Sequence, residues 1–151
     1  MSPGSQNRSR YDFAVYDRQG RLSAVVEAKR RFGTDESWAR AWHAAVVDNT
    51  EHPAAANVVL FAPDRVYVWR PGAGRSASPD WTFEAGPWLA PYFARLKIEV
   101  KEVDPHVFEA IVGLWLQDVV HGGAPAGNAS GSAEHFLDAL RGGEVVQQAA
   151  A

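Results

Sequence analysis

The sequence predicts an α/β fold, built on a mixed sheet with further helices in the second half of the chain. In the first half, short apolar runs bounded by turn residues are typical of strands. A segment with apolar residues at helical spacing separates the second of these runs from the third. The second half contains longer segments with helical spacing, which favour helices over strands.

The first two strands are predicted to form a hairpin over Tyr11–Lys29, with Gly20 closing its turn. A helix is expected next, near Asp35–Asn49, because its apolar residues recur at helical spacing. Either Thr34 or Asp35 can cap the start of this helix, since both side chains carry an oxygen that accepts from the first free backbone N–H groups.

Further strands and helices follow. Strands are predicted over Asn57–Ala62, Val66–Trp69 and Asp80–Glu84, a helix over Pro87–Leu96, and a half-exposed strand over Ile98–Val103. Asp104 is expected to cap a helix that begins at Pro105 and ends before Gly122. The wide apolar stripe of this last helix needs a cover, either the sheet or a second copy of the chain.

The expected domain organisation is a single domain over residues 11–121. Residues 1–10 are polar and are predicted to be flexible. The expected C-terminal segments are a flexible linker over 122–132, a short helix over 133–141 and a disordered tail over 142–151.

The composition fits one folded domain and excludes several classes of protein. The 151 residues are 46% hydrophobic, with six Trp, four Tyr and seven Phe, which is enough for a core. No cysteine is present, so disulfides and thiolate metal sites are excluded. The longest apolar stretch, Val107–Val120, is interrupted by Glu109, Gln117 and Asp118, and the polar N-terminus lacks a signal-peptide pattern. We therefore expect a cytoplasmic protein that does not enter a membrane.

Asp12, Glu27 and Lys29 are charged residues placed among strand formers. Burying such groups costs free energy unless they hold a cation or one another, so they are candidates for chemistry. Glu27 and Lys29 are two residues apart on a predicted strand and therefore project from the same face. The alternative is an exposed hairpin edge, on which Glu27 and Lys29 form an ordinary solvated pair.

The face on which Asp12 lies depends on the register of the hairpin. An even-length loop would place Asp12 opposite Val25 or Glu27, on the face that Glu27 shares with Lys29. A three-residue loop ending at Gly20 would turn Asp12 to the other face, unless a β-bulge restores the register.

Asp12 and the tripeptide Glu27-Ala28-Lys29 resemble the PD-(D/E)xK nuclease superfamily, whose fold is called restriction-endonuclease-like. The predicted order of strand, strand, helix and strand is similar to the core of that family, and the resemblance covers the first half of the chain. It implies an αβββαβ core whose first helix is short or absent, because only ten residues precede Tyr11. Added C-terminal helices complete the expected fold.

The resemblance implies a Mg²⁺ or Mn²⁺ ion bound by Asp12, Glu27 and the backbone carbonyl of Ala28. Hard divalent cations prefer such oxygen ligands. Lys29 would then orient the attacking water or stabilise negative charge on the phosphate. The implied activity is endonucleolytic hydrolysis of phosphodiester bonds, with DNA as the expected nucleic acid and a homodimer as one expected assembly.

The charge distribution is uneven and suits an anionic substrate near the first half. Residues 1–75 hold eleven Lys or Arg and eight Asp or Glu, a net charge of +3, whereas residues 76–151 hold four and ten, a net charge of −6. Basic residues beside a catalytic cleft attract phosphates. The candidates for contact with nucleic acid are Arg30, Arg31, Arg40 and His43.

Other interpretations remain. A catalytically inactive module of the same fold would bind nucleic acid or a partner protein without hydrolysis. A second match to the motif, Asp80 with Glu99-Val100-Lys101, is interpreted as coincidence because a predicted helix lies between its parts. The histidines at 43, 52, 106, 121 and 135 lack the spacing of zinc ligands.

Overall fold

The structure is a computed structural model that describes residues 11–48, 52–123 and 131–148, without the side chains of residues 131 and 132. The flexible segment predicted for 1–10, residues 124–130 of the linker and residues 149–151 of the tail lie outside the described residues. In chain order the elements are β1 (Phe13–Tyr16), β2 (Leu22–Ala28), α1 (Glu36–Val47), β3 (Asn57–Phe61), β4 (Arg65–Trp69), β5 (Trp81–Glu84), α2 (Gly86–Leu96), a 3₁₀ helix (Val100–Glu102), α3 (Pro105–Val120), α4 (Gly131–Leu140) and β6 (Glu144–Gln147).

The six strands form one mixed sheet in the order β5-β4-β3-β2-β1-β6. β2 and β3 run parallel, joined by the crossover helix α1, and the other neighbouring pairs are antiparallel. One face of the sheet packs against α1, and the opposite face packs against α2, α3 and α4. The predicted α/β class, the mixed sheet and the order of strand, strand, helix and strand are confirmed.

The hairpin of β1 and β2 combines a short loop with a bulge. Asp17 N donates to the carbonyl of Arg21 (2.8 Å), which leaves a three-residue loop ending at Gly20, whose φ of +80° suits glycine. Between Val15 and Tyr16 the register then shifts by one residue. Phe13 consequently pairs with Val26, and Asp12 returns towards Glu27.

The helix caps follow from the sequence. Asp35 Oδ1 accepts from Trp38 N (2.9 Å), so Asp35 and not Thr34 caps α1, and Asp104 Oδ1 accepts from Val107 N (2.8 Å), which confirms the predicted Asp104 cap. The apolar stripe of α3 is buried in the core on the sheet side, together with α2 and α4. Within the described ranges, none of the helices combines the length and the apolar character needed to cross a bilayer.

The predicted strand over Ile98–Val103 is wrong. Its backbone bonds are local, from Ile98 N to the carbonyl of Phe93 (3.1 Å) and from Val103 N to the carbonyl of Val100 (3.3 Å), so the segment closes α2 and forms one 3₁₀ turn. The alternating pattern arises because Val103 is buried and Ile98 half-buried, while the residues between them are exposed. In the second motif match, Glu99 therefore precedes a 3₁₀ helix and Lys101 lies within it, so neither residue is on a strand.

The predicted disordered tail is wrong for Glu144–Gln147, which pairs with β1 as the edge strand β6. The turn before it lies so close to the hairpin that a Cβ on Gly143 would stand 1.7 Å from the carbonyl oxygen of Tyr16. The helix before it begins at Gly131, inside the predicted linker. With Val145 and Val146 alone as strand formers, the tail carries too weak a pattern for prediction.

Candidate functional site

Glu27 lies near the C-terminal end of β2, an interior strand of the sheet. β2 has β1 on one side and β3 on the other. Its pairing with β3 continues just beyond the strand, because Lys29 N donates to the carbonyl of Phe61 (2.9 Å). Val25 and Val26 are 3% and 0% exposed. The alternative of an exposed hairpin edge is therefore wrong for this strand.

Asp12 is fixed against the same end of β2 by its backbone and by its side chain. Asp12 N donates to the carbonyl of Val26 (2.9 Å), and Asp12 Oδ2 accepts from Ala28 N (2.8 Å). On its other side, the carbonyl of Asp12 accepts from Gln148 N (2.8 Å), just beyond β6. The carboxylate is thus oriented before any ligand binds.

The Glu27 carboxyl is largely buried and only half satisfied. Its side chain is 12% exposed, and Oε2 lies 3.1 Å from Lys29 Nζ, so the prediction that Glu27 and Lys29 share a face is confirmed. Oε1 is buried and has no hydrogen-bond partner among the described residues. A buried carboxyl oxygen without a partner is costly, and a cation or a proton would relieve that cost.

The Asp12 and Glu27 carboxyls are close enough to perturb each other. Burial, followed by the negative charge of Asp12, raises the pKa of Glu27 to about 7, against the lowering effect of Lys29. Burial also raises the pKa of Asp12, while the hydrogen bond from Ala28 N lowers it. Without a cation, two such groups tend to hold one proton between them.

The donor set fits a hard divalent cation. The N–H and C=O of one strand residue point to the same side, so the Ala28 carbonyl lies on the side of its partner Asp12. No group of three or more His, Cys, Asp or Glu side chains able to hold a metal occurs in the described part of the chain. Two carboxylates are nevertheless enough for Mg²⁺, which completes its shell with water and phosphate oxygens.

Glu109 is a further carboxylate near the pair that the sequence did not assign to the site. Its charge raises the pKa of both Asp12 and Glu27, and its Oε2 accepts from Gln147 Nε2 (3.0 Å) on β6. The signal in the sequence is its interruption of the apolar stretch Val107–Val120. Glu109 could not be connected to Asp12 because neither the position of α3 nor the existence of β6 was predicted.

Tyr11 and His52 form a second layer behind the acidic pair. The Tyr11 hydroxyl and His52 Nδ1 are hydrogen-bonded at 2.9 Å, and the Tyr11 ring lies edge-on to Trp42 at a centroid distance of 6.3 Å. Burial and then the charge of Glu27 raise the pKa of Tyr11. Tyr11 therefore packs on the α1 side of the sheet, where its hydroxyl is within electrostatic range of Glu27.

Arg30, Arg31 and Arg40 are exposed, as expected for residues that contact an anion. Arg30 Nε donates to the carbonyl of Val103. Arg40 donates to the carbonyl of Ser76 (3.3 Å) and lines an open cavity of about 230 Å³ together with Arg75. Arg30 and Arg31 follow Lys29 directly in the chain, whereas Arg40 lies on the outer surface of α1.

The prediction that His43 faces a ligand is wrong. Its side chain is 0% exposed and stacks on Trp69, with a centroid distance of 4.3 Å and an interplanar angle of 9°. Neither ring nitrogen has a hydrogen-bond partner among the described residues. Burial, with a smaller contribution from the charge of His52, lowers the pKa of His43 to about 4, so it is a neutral core residue at pH 7.

Comparison with known proteins gives no relative from which to transfer a function. No family model, curated protein or solved structure matches the chain. The chemistry of the site is therefore inferred from Asp12, Glu27, Lys29 and their surroundings.

Proposed function

We propose that this chain is a metal-dependent nuclease of the PD-(D/E)xK kind, which hydrolyses phosphodiester bonds of nucleic acid, with DNA as the expected substrate. The main support is the buried Glu27 Oε1, which has no hydrogen-bond partner among the described residues and belongs to a carboxyl whose pKa is raised by the charge of Asp12. Lys29 lies 3.1 Å from the other oxygen of the same carboxyl. Two acids and one amine at the end of an interior strand suit phosphate chemistry better than a structural role.

Asp12, Glu27 and the Ala28 carbonyl would hold Mg²⁺ or Mn²⁺. When bound, such an ion polarises the phosphodiester and makes its bound water more acidic. Ala28 N holds the Asp12 carboxylate in one orientation through a 2.8 Å hydrogen bond, which reduces the reorganisation needed on binding. The Lys29 side chain is 47% exposed, so its ammonium can reach a phosphate while it remains near Glu27.

A second function is favoured by one specific observation. Lys29 already pairs with Glu27 Oε2, so half of this carboxyl is satisfied without a metal ion. A catalytically inactive module of the same fold, which binds nucleic acid or a partner protein, would use such an internal ion pair. The two functions differ in whether a divalent cation enters the site.

Glu27→Gln is expected to lower the rate of Mg²⁺- or Mn²⁺-dependent cleavage by about 10²-fold or more, because it removes a ligand charge from the site. The measurement is conversion of plasmid DNA and of labelled DNA and RNA oligonucleotides, with each metal and with EDTA. Glu84→Gln is the matched control, because Glu84 is an exposed carboxyl at the end of β5.

Equal activity of Glu27→Gln and the wild type would remove this site from the reaction. Wild-type protein that binds nucleic acid but cuts none in either metal would leave the inactive module as the function.

A further inference from the structure

The loop between β2 and α1 exposes an aromatic ring directly after the site. Phe32 is 39% exposed and stands three residues after Lys29. Gly33, with a φ of +66°, turns the chain after it. The far end of the loop is anchored, because Thr34 N donates to Asp64 Oδ2 (2.9 Å) and the Thr34 hydroxyl is hydrogen-bonded to that of Tyr67 (2.8 Å). The ring is therefore carried by a short loop held at both ends.

The guanidinium of Arg30 lies against the Phe32 ring. Its guanidinium carbon lies 5.1 Å from the centroid of the Phe32 ring, while its nitrogens donate to the carbonyl of Val103 and, at 3.4 Å, to that of Lys101. Arg31 is placed similarly, 5.7 Å from the centroid of the Trp38 ring. Neither arginine forms an ion pair with a carboxylate of the described residues, so both charges remain available to an anion.

Single exposed apolar side chains are common on protein surfaces. Phe32 differs from the exposed Leu114, for example, because three consecutive cationic residues, Lys29 to Arg31, precede it and one of them is fixed against its ring. Glu99, just before the neighbouring 3₁₀ helix, and Glu102, within it, add negative charge, which weakens the attraction of this surface for polyanions in general. A contact that does not depend on charge alone is therefore needed for affinity.

We infer that Phe32 stacks on an unpaired base of a single-stranded segment of DNA or RNA, while Arg30 and Arg31 contact the adjoining phosphates. An aromatic ring can stack on a base only if one face of that base is free, which excludes the interior of a duplex. This inference deepens the proposed function and rests on it in one respect, namely that the adjoining phosphodiester lies at Lys29. The expected substrate is thus single-stranded nucleic acid or a duplex with an unpaired end.

The test is fluorescence anisotropy with the full chain in EDTA, so that binding is measured without cleavage. The probes are labelled single-stranded DNA, single-stranded RNA and a blunt-ended duplex of two complementary DNA strands. Phe32→Ala is expected to weaken single-strand binding by about 5- to 100-fold, with little change for the duplex. Phe32→Trp should retain binding, whereas Phe32→Leu should not, because leucine keeps apolar area without an aromatic face. Leu114→Ala, at an exposed apolar position on α3, is the matched control.

Salt dependence separates stacking from charge. Phe32→Ala should leave the slope of log Kd against log salt unchanged, and Arg31→Ala should make it shallower. Equal single-strand binding by Phe32→Ala and the wild type overturns the inference, and so does an equal loss on all three probes. If the inference is overturned in this way but the protein still cuts nucleic acid in Mg²⁺, the proposed nuclease function is retained. Phe32-dependent binding by a protein that never cuts would instead support the inference and refute the nuclease.

Discussion

Lys29→Met is expected to lower the rate of Mg²⁺-dependent cleavage by about 10²- to 10³-fold, because it removes the ammonium that is proposed to stabilise charge on the phosphate. Cation binding should persist in this variant. Lys29 is paired with Glu27 Oε2 at 3.1 Å, and its positive charge opposes the entry of a second cation. Loss of cleavage without loss of cation binding is therefore the expected signature of this lysine.

Single-turnover cleavage and Mn²⁺ titration of the same preparation would measure both properties. Lys101→Met is the matched control, because Lys101 is exposed on the 3₁₀ turn. Lys29→Met protein that cleaves at the wild-type rate would exclude the ammonium from the reaction. If Lys29→Met lost both cleavage and cation binding, Lys29 would instead be needed to maintain the structure of the site.

His43→Phe is expected to make the protein more resistant to acid. The lowered pKa of His43, about 4, means that the folded protein binds fewer protons than the unfolded chain between this pH and about 6.5. The stability that neutral His43 contributes is therefore complete above about pH 6.5 and is lost as the pH falls through 4. The loss amounts to about 3 kcal/mol, and phenylalanine, which does not titrate, should remove this part of the pH dependence.

Urea unfolding at a series of pH values from 4 to 8 would measure this effect. The charges facing His43 are those of His52, which lowers its pKa further, and Asp80, which raises it. His106→Phe is the control, since His106 is an exposed histidine on α3. If the free energy of unfolding depended on pH equally in His43→Phe and the wild type, His43 would take up a proton in the folded protein without a loss of stability.

The strands and helices with strong periodic patterns could be predicted from the sequence. The aspartate caps, Asp35 and Asp104, were readable because a side-chain oxygen before an apolar run has a local role. The pairing of Glu27 with Lys29 followed from the alternation of side chains along one strand. The position of Asp12 could be stated only as a choice between registers, because it depends on a bulge at Val15 and Tyr16 that has no clear sequence signature.

Features that depend on tertiary packing were missed. Helical spacing placed His43 off the apolar stripe, yet the side chain stacks on Trp69 of β4, because α1 covers more of the sheet than its stripe indicates. Edge strand β6 is too short and polar to be detected from the sequence. In the structure, however, Gln148 N donates to the Asp12 carbonyl and Gln147 Nε2 donates to Glu109 Oε2. The sequence thus located the acid pair and missed the C-terminal strand that lies beside Asp12.

The central claim is that Asp12 and Glu27 together bind a divalent cation. Isothermal titration of the metal-free protein with Mn²⁺ at pH 8 tests it most directly. We expect one site in the wild type and in Glu84→Gln, and loss of that site in Glu27→Gln and in Asp12→Asn. Wild-type protein that binds no Mn²⁺, or equal binding by the wild type and both site variants, would contradict the claim.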